Sequence, residues 1–174
     1  MQLLITPLGK QHNRHSFDCG EDSLNQYLKR FARQDIQRQL NRVFVVSPSD
    51  DPELIYGYYS LSASTLVAAS LPERLQQRLP RYPVPTVLLG RLAVATDQQG
   101  QGIGGIMLVN AMQRAMQASQ VMAIYAIIVD ALNDPAVGFY RQFGFISLPG
   151  QSRKLFLPID TVSRLLENPD QSSA

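Results

Sequence analysis

Apolar residues at Leu24, Tyr27, Leu28 and Phe31 fall at i, i+3, i+4 and i+7, which predicts an amphipathic helix that continues or restarts to about Leu40. Asp22 or Ser23 stands where a side chain caps the first exposed amides. Upstream, Gln2–Thr6 alternates weakly and reads as a strand, followed by a polar loop to Gly20. Downstream, the β-branched run Arg42–Ser47 and the aromatic run Leu54–Ala63 flank the breaker SPSDDPE, which predicts a hairpin. Pro72 opens a short helix that ends at Pro80, and Pro83 and Pro85 impose an extended lead into the strand VLLGRLAVA. Then comes a helix with Ile103, Ile106, Met107, Ala111 and Ala115 on one face. The unbroken apolar run Val121–Val129 has the character of a strand covered on both sides. Asp134 and Pro135 start another helix, closed by Gly144. FGFISL and RKLFLP supply two last strands, and Pro158–Leu166 a terminal helix before a polar tail. Hairpin strands followed by strand, helix, strand, helix, strand predict an α/β or α+β sheet with a βαβ unit at its centre.

Composition narrows this picture. A chain of 174 residues, 45% hydrophobic, reads as one globular domain over 1–174. Its single cysteine makes no intrachain disulfide, which points to a reducing cytoplasm. MQLLITPLGK lacks the features of a signal peptide and no apolar run reaches spanning length, so no membrane association is expected. The formal charge is only +2, but it is unevenly spread. Lys10 to Arg42 holds seven basic and four acidic residues, and Arg74 to Arg91 holds four arginines and no acid. Solvated helix faces and a one-sided basic surface explain such runs equally well.

The main chemical clue is the turn Gln99, Gly100, Gln101, Gly102, Ile103, Gly104, Gly105 between a strand and a helix. Glycines let main-chain amides approach a ligand, and the helix start adds unpaired N–H groups, so a phosphate or pyrophosphate is favoured there. A purely structural turn is the alternative. A Walker loop is excluded because no GK[ST] follows. Gly100, Gly102 and Gly105 satisfy a dinucleotide GxGxxG, with Asp130 ending the next strand. However, four polar residues separate strand from glycine, and too little chain follows for a doubly wound sheet. Cys19, His12 and His15 lack zinc-ligand spacing, and no partner activates the thiol, so neither a metal nor a cysteine nucleophile is expected.

The segment Leu89–Gly104 resembles motif A of the GNAT superfamily of N-acetyltransferases, whose [QR]-x-x-G-x-[GA] is met by Gln99, Gly102 and Gly104. VDALNDPAVGFYRQFGF resembles the family's motif B. FDCGEDSLNQYLKRFARQD, PRYPVPTVLLGRLAV and FYRQFGF are similar to its toxin members, of the TacT and AtaT type, found in toxin–antitoxin pairs. The resemblance implies a GNAT fold: a mixed, mostly antiparallel sheet of about six to seven strands flanked by helices, with the acetyl-CoA motif at about 87–145. It implies that the turn Gln99–Gly105 holds the acetyl-CoA pyrophosphate and that Leu92, Ala93 and Val94 pair with the pantetheine arm. It also implies that Asn133 bonds that arm, although Asn133 serves equally well as a helix cap. Tyr140 sits where the family has its general acid, and a phenol is protonated at neutral pH and able to donate to a thiolate. Phe139 and Phe143 read as core.

The strand LLGRLAV carries no acid to serve as general base. An α-amino group, far less basic than lysine, attacks without a strong base, which suits the aminoacyl-tRNA acceptor that the toxin resemblance implies. Arg81, Arg91, Arg33 and Arg42 are the candidates for its phosphates. A ribbon-helix-helix antitoxin and a homodimer are the implied protein partners. The competing readings are a GNAT enzyme acting on a small amine or a protein N-terminus, and a CoA-binding module without turnover.

Overall fold

The computed structural model describes residues 1–168; the polar tail beyond them lies outside the described residues. Strand β1 (Leu3–Pro7) pairs antiparallel with β2 (Arg42–Pro48), and β2 pairs antiparallel with β3 (Gly57–Leu66) in the register Val43↔Ser60 and Val45↔Tyr58, which is the expected hairpin. Strand β4 (Val84–Val94) runs parallel to β5 (Ala126–Asp130), and helix α4 (Ile103–Ser119) lies between them in the chain, as the βαβ pattern requires. β5 pairs antiparallel with β7 (Gln151–Pro158), which pairs with the short β6 (Ile146–Leu148). The sheet has seven strands in the order β1-β2-β3-β4-β5-β7-β6. The remaining helices are α1 (Asp22–Gln26), α2 (Ala32–Gln37), the short α3 (Glu73–Gln76), α5 (Asp134–Gln142) and α6 (Ile159–Glu167).

Internal packing divides the chain into two compact units. The first comprises Met1–Ser62 and Gly90–Ala111; the second comprises Ala63–Leu89 and the described chain from Met112 onwards. The first has a core of Phe17, Tyr27, Leu28, Val45, Tyr58 and Ala93. Phe17 meets the Tyr58 ring edge-on at 5.5 Å, and full burial of a side chain this size is worth about 2–3 kcal/mol. α4 lies close against β3 here. A Cβ on Gly57 would come within 2.9 Å of both the Ala93 carbonyl oxygen and Met107 Cε, so no larger residue fits without displacing backbone. The Tyr59 hydroxyl donates to Asn110 Oδ1 at 2.5 Å in the same layer. The second unit closes around Leu66, Leu71, Ala126, Ile128, Leu148 and Phe156.

Four sequence expectations need correction. Phe31 is 51% exposed, because Tyr27–Phe31 forms a π turn between α1 and α2. The wider turn puts Ala32, not Phe31, on the buried side below Tyr27 and Leu28. Neither Asp22 nor Ser23 caps α1: Glu21 holds the cap position without a side-chain bond. The preceding loop is tied instead by Asn25, whose Oδ1 accepts from Cys19 N and whose Nδ2 donates to Asp18 Oδ1, both at 2.9 Å. Ile106 is exposed, since it falls on the outer side of α4. β5 begins at Ala126 rather than Val121: the amides of Val121 and Met122 bond back to Ala118 and finish the helix turn, leaving both side chains exposed.

Candidate active site

The first unit carries the glycine turn. After β4 the chain makes one 3-10 turn (Thr96–Gln98), then passes through Gly100 at φ 78° and Gly102 at φ 82°. L-residues with a side chain are strained at such angles, so glycine is needed there for its backbone. A Cβ at either position would meet nothing within 4 Å. The glycines therefore satisfy no packing demand; they keep bare backbone next to open space. α4 starts at Ile103, and its first ladder bond runs from Ile106 N to Gly102 O at 3.1 Å. The amides of Ile103, Gly104 and Gly105 precede that bond, and a glycine ahead of them has no side chain to cap them. This arrangement fits a pyrophosphate.

Gln99 uses its side chain to hold the turn itself. Its Nε2 donates to Val94 O at 3.0 Å and to Cys19 O at 3.1 Å, fastening the turn to the end of β4 and to the Cys19 loop. Cys19 is buried in the core with its thiol pKa pushed up by burial, which disfavours the thiolate. His12 is buried, accepts from Gly9 N at 2.9 Å, and has its pKa lowered by burial. Among the described residues no three His, Cys, Asp or Glu side chains gather as metal ligands.

The pairing of β4 with β5 covers Thr86 to Leu89 and ends at Leu89↔Val129; β4 itself continues for five residues, Gly90–Val94. In that extension Leu92 and Val94 are half-buried and Ala93 is buried in the first unit's core. Its side chains are thus anchored, while its main chain has the extended form that an amide-bearing arm pairs with.

The second unit carries Asn133 and Tyr140. Asn133 caps α5, its Oδ1 accepting from Ala136 N at 2.9 Å, with Pro135 in the first turn. The cap uses the oxygen; the Nδ2 amide makes no protein hydrogen bond among the described residues. Tyr140 is 5% exposed, with its ring edge-on to Phe139 at 5.2 Å and to Phe145 at 5.6 Å. Its ring is therefore packed like a core residue, yet its hydroxyl has no protein partner among the described residues. Burial raises its pKa well above that of an ordinary phenol, so it holds its proton. Phe139 and Phe143, expected in the core, are half-buried and lie against each other at 5.2 Å.

The four arginines differ in freedom. Arg81 and Arg42 are exposed, Arg42 bonding Gln39 Oε1 at 2.7 Å; Arg33 is half-buried. Arg91 lies 3.5 Å over the Tyr27 ring centroid, a cation–π stack that fixes its guanidinium. The Tyr27 hydroxyl in turn donates to Asp35 Oδ2 at 2.9 Å. Burial and the Asp35 bond push its pKa up to about 12. Sequence reasoning missed these contacts because Arg91 lies on β4, far along the chain from Tyr27 and Asp35. It also passed over Tyr82, 70% exposed beside Arg81, an aromatic surface of the kind that stacks on unpaired bases. The prolines around it were the available signal.

The chain matches the acetyltransferase (GNAT) family over residues 63–145, the stretch that carries β4, the glycine turn, α4, β5 and α5. The chain belongs to that family. It is 36% identical over 142 residues to a tRNA-acetylating toxin of Mycobacterium tuberculosis, covering 82% of this chain and 83% of the relative. Among solved structures, it is similar to a tyrosine-to-phenylalanine variant of KacT (TM-score 0.90, 33% identity, 95% of this chain and 99% of the other). It is also similar to AtaT complexed with acetyl-methionyl-tRNAfMet (TM-score 0.88, 32% identity, 95% and 99%). A third similar structure is a tyrosine-to-phenylalanine variant of AtaT bound to the C-terminus of the antitoxin AtaR and acetyl-CoA (TM-score 0.81, 29% identity, 94% and 98%).

Proposed function

We propose that this chain is an acetyl-CoA-dependent N-acetyltransferase and the toxin of a toxin–antitoxin pair, which caps the amino group of aminoacyl-tRNA and so blocks translation. The observation that carries the reading is the turn Gln99–Gly105, with bare backbone at Gly100 and Gly102 open to ligand, in a chain whose relatives include a tRNA-acetylating toxin. When bound, acetyl-CoA supplies the acetyl group as a thioester. The amides of the turn Gln99–Gly105 bind its pyrophosphate, with the α4 N-terminus adding partial positive charge. The main chain of Leu92, Ala93 and Val94 and the Asn133 Nδ2 orient the arm. Tyr140 Oη holds the proton that the departing sulfur needs, and burial keeps that proton in place at neutral pH.

On the acceptor side, β4 carries no carboxylate, which favours an amine that is substantially neutral near pH 7. The amine of an aminoacyl ester meets that requirement; a lysine side chain does not. Arg33, Arg42 and Arg81 supply phosphate contacts, and Arg91, held on Tyr27, presents a fixed charge. A neutralising antitoxin of ribbon-helix-helix type, a homodimer and a cytoplasmic location complete the proposal. No helix among the described residues is long and apolar enough to cross a membrane.

The purified chain, given radiolabelled acetyl-CoA with aminoacyl-tRNA, free amines or peptides, tests the proposal. Label should appear on the aminoacyl-tRNA. Label on small amines or peptide N-termini alone overturns the acceptor, and no transfer to any of them overturns the enzyme.

A further inference from the structure

A depression of about 410 Å³ lies within the second unit, and none of the residues assigned above to acetyl-CoA or the acceptor lines it. Its rim is basic. Arg74 of α3 and Arg78, in the turn that follows that helix, border it with Arg164 of α6. All three are exposed, and among the described residues none comes within 4.0 Å of a carboxylate. Among the described residues Arg164 bonds only its own helix, donating to Asp160 O and Thr161 Oγ1 at 3.4 Å. Asp160 is the sole acid in the lining. The floor is aliphatic: Leu75 and Leu79 are half-buried, and Ile146, on the edge strand β6, is 43% exposed.

Three guanidiniums with no carboxylate partner among the described residues, around an aliphatic floor, ask for a ligand with both characters. A nucleic acid satisfies the cations through its phosphates but leaves the aliphatic floor uncovered and finds no open ring face for its bases. The rings here are Phe156, fully buried, and Tyr125, half-buried. A small inorganic anion leaves the apolar floor wet. We propose that this depression docks an acidic peptide segment of a partner protein. One branched aliphatic side chain lies on Leu75, Leu79 and Ile146, and flanking carboxylates face Arg74, Arg78 and Arg164. The carboxylates set partner choice and encounter rate more than strength, because exposed ion pairs are individually weak; the aliphatic anchor supplies the remainder. This site does not depend on acetyl transfer, so its test contains neither acetyl-CoA nor tRNA.

The probe is a dye-labelled peptide, acetyl-Asp-Glu-Leu-Ile-Glu-Asp-amide, titrated with the full chain and read by fluorescence anisotropy. Binding should be saturable. It should weaken about tenfold or more in the double variant Arg78→Glu/Arg164→Glu and when serines replace the peptide's Leu-Ile. Lys10→Glu, outside the depression, should leave it unchanged. Ile146→Asp serves as a second variant that blocks the anchor without touching the arginines, and thermal melts of each variant check the fold. No saturable binding, full binding by the serine peptide, or full binding by the folded arginine variant overturns the proposal. So does an oligouridylate that binds as tightly through the same arginines, or self-association of the chain that occupies the depression at the concentrations used.

Discussion

Because the Tyr140 hydroxyl leaves no protein partner behind, Tyr140→Phe deletes a proton donor without stranding a buried acceptor. Stability and acetyl-CoA affinity should stay near the parent's while turnover falls by about 10²- to 10⁴-fold. Turnover and thermal melting on one preparation decide the matter: normal turnover at a normal melting temperature removes Tyr140 from the chemistry. Gly102 calls for a different expectation. A side chain there meets open space, so Gly102→Val costs only the strain of its left-handed backbone, about 1–2 kcal/mol. Its methyl groups then stand where the pyrophosphate would approach. Calorimetry should show acetyl-CoA binding lost from a protein that still folds, and unchanged affinity would move the cofactor elsewhere.

At the level of elements, Asn133 separates two roles that its position in the sequence left entangled. Asn133→Ser keeps an oxygen for the Ala136 amide and removes the Nδ2 donor, whereas Asn133→Ala removes both. The alanine variant should lose about 1 kcal/mol of stability and the serine variant little. If acetyl-CoA affinity falls equally in both, the amide donor binds the arm; if neither loses affinity, Asn133 is a cap alone. Much of the architecture was legible in local patterns: the hairpin β2–β3 from β-branched and aromatic runs around a breaker, the β4–α4–β5 unit from apolar patterning, and the helix stop from Gly144 (φ 95°). What escaped depended on contacts or on backbone detail. Phe31 matched a 3.6-residue repeat that the π turn does not keep, and Val121 and Met122 matched a strand that the helix end had already claimed. The glycine turn was readable as a ligand site, yet the Gln99 clamp and the Arg91–Tyr27 stack join residues far apart in the chain.

Two expectations belong to the whole molecule. Burial raises the pKa of Tyr27, to about 12, and of Tyr58 and Tyr140 beyond it. Their stabilising contribution is complete below about pH 10. Above that, the unfolded chain ionises first and binds fewer protons than the folded one, so stability falls as pH rises. Urea midpoints should decline between about pH 10 and 12, less steeply in Tyr27→Phe; a flat profile in the parent contradicts this. If tRNA is the acceptor, activity should fall as salt rises, and Arg81→Glu, at an exposed site, should lower it with little cost to the fold. Arg91→Glu is a poorer probe, since it also breaks the stack on Tyr27. A flat salt response with Arg81→Glu fully active would remove the nucleic acid from the reaction.

The interleaving of the two units along the chain also bears on biosynthesis. The first 62 residues form only part of the first unit, whose core is not complete until Ala93 and Ala95 are present, and α4 contributes to it up to Ala111. By then the ribosome has already made the first piece of the second unit, Ala63–Leu89, whose remainder begins at Met112. A nascent chain therefore holds Val45 and Tyr58 without their full shelter until Ala95, and then α4 up to Ala111, have been made, and Tyr140 emerges later still. If the chain acts as proposed above, an unfinished copy has no assembled chemistry with which to block translation.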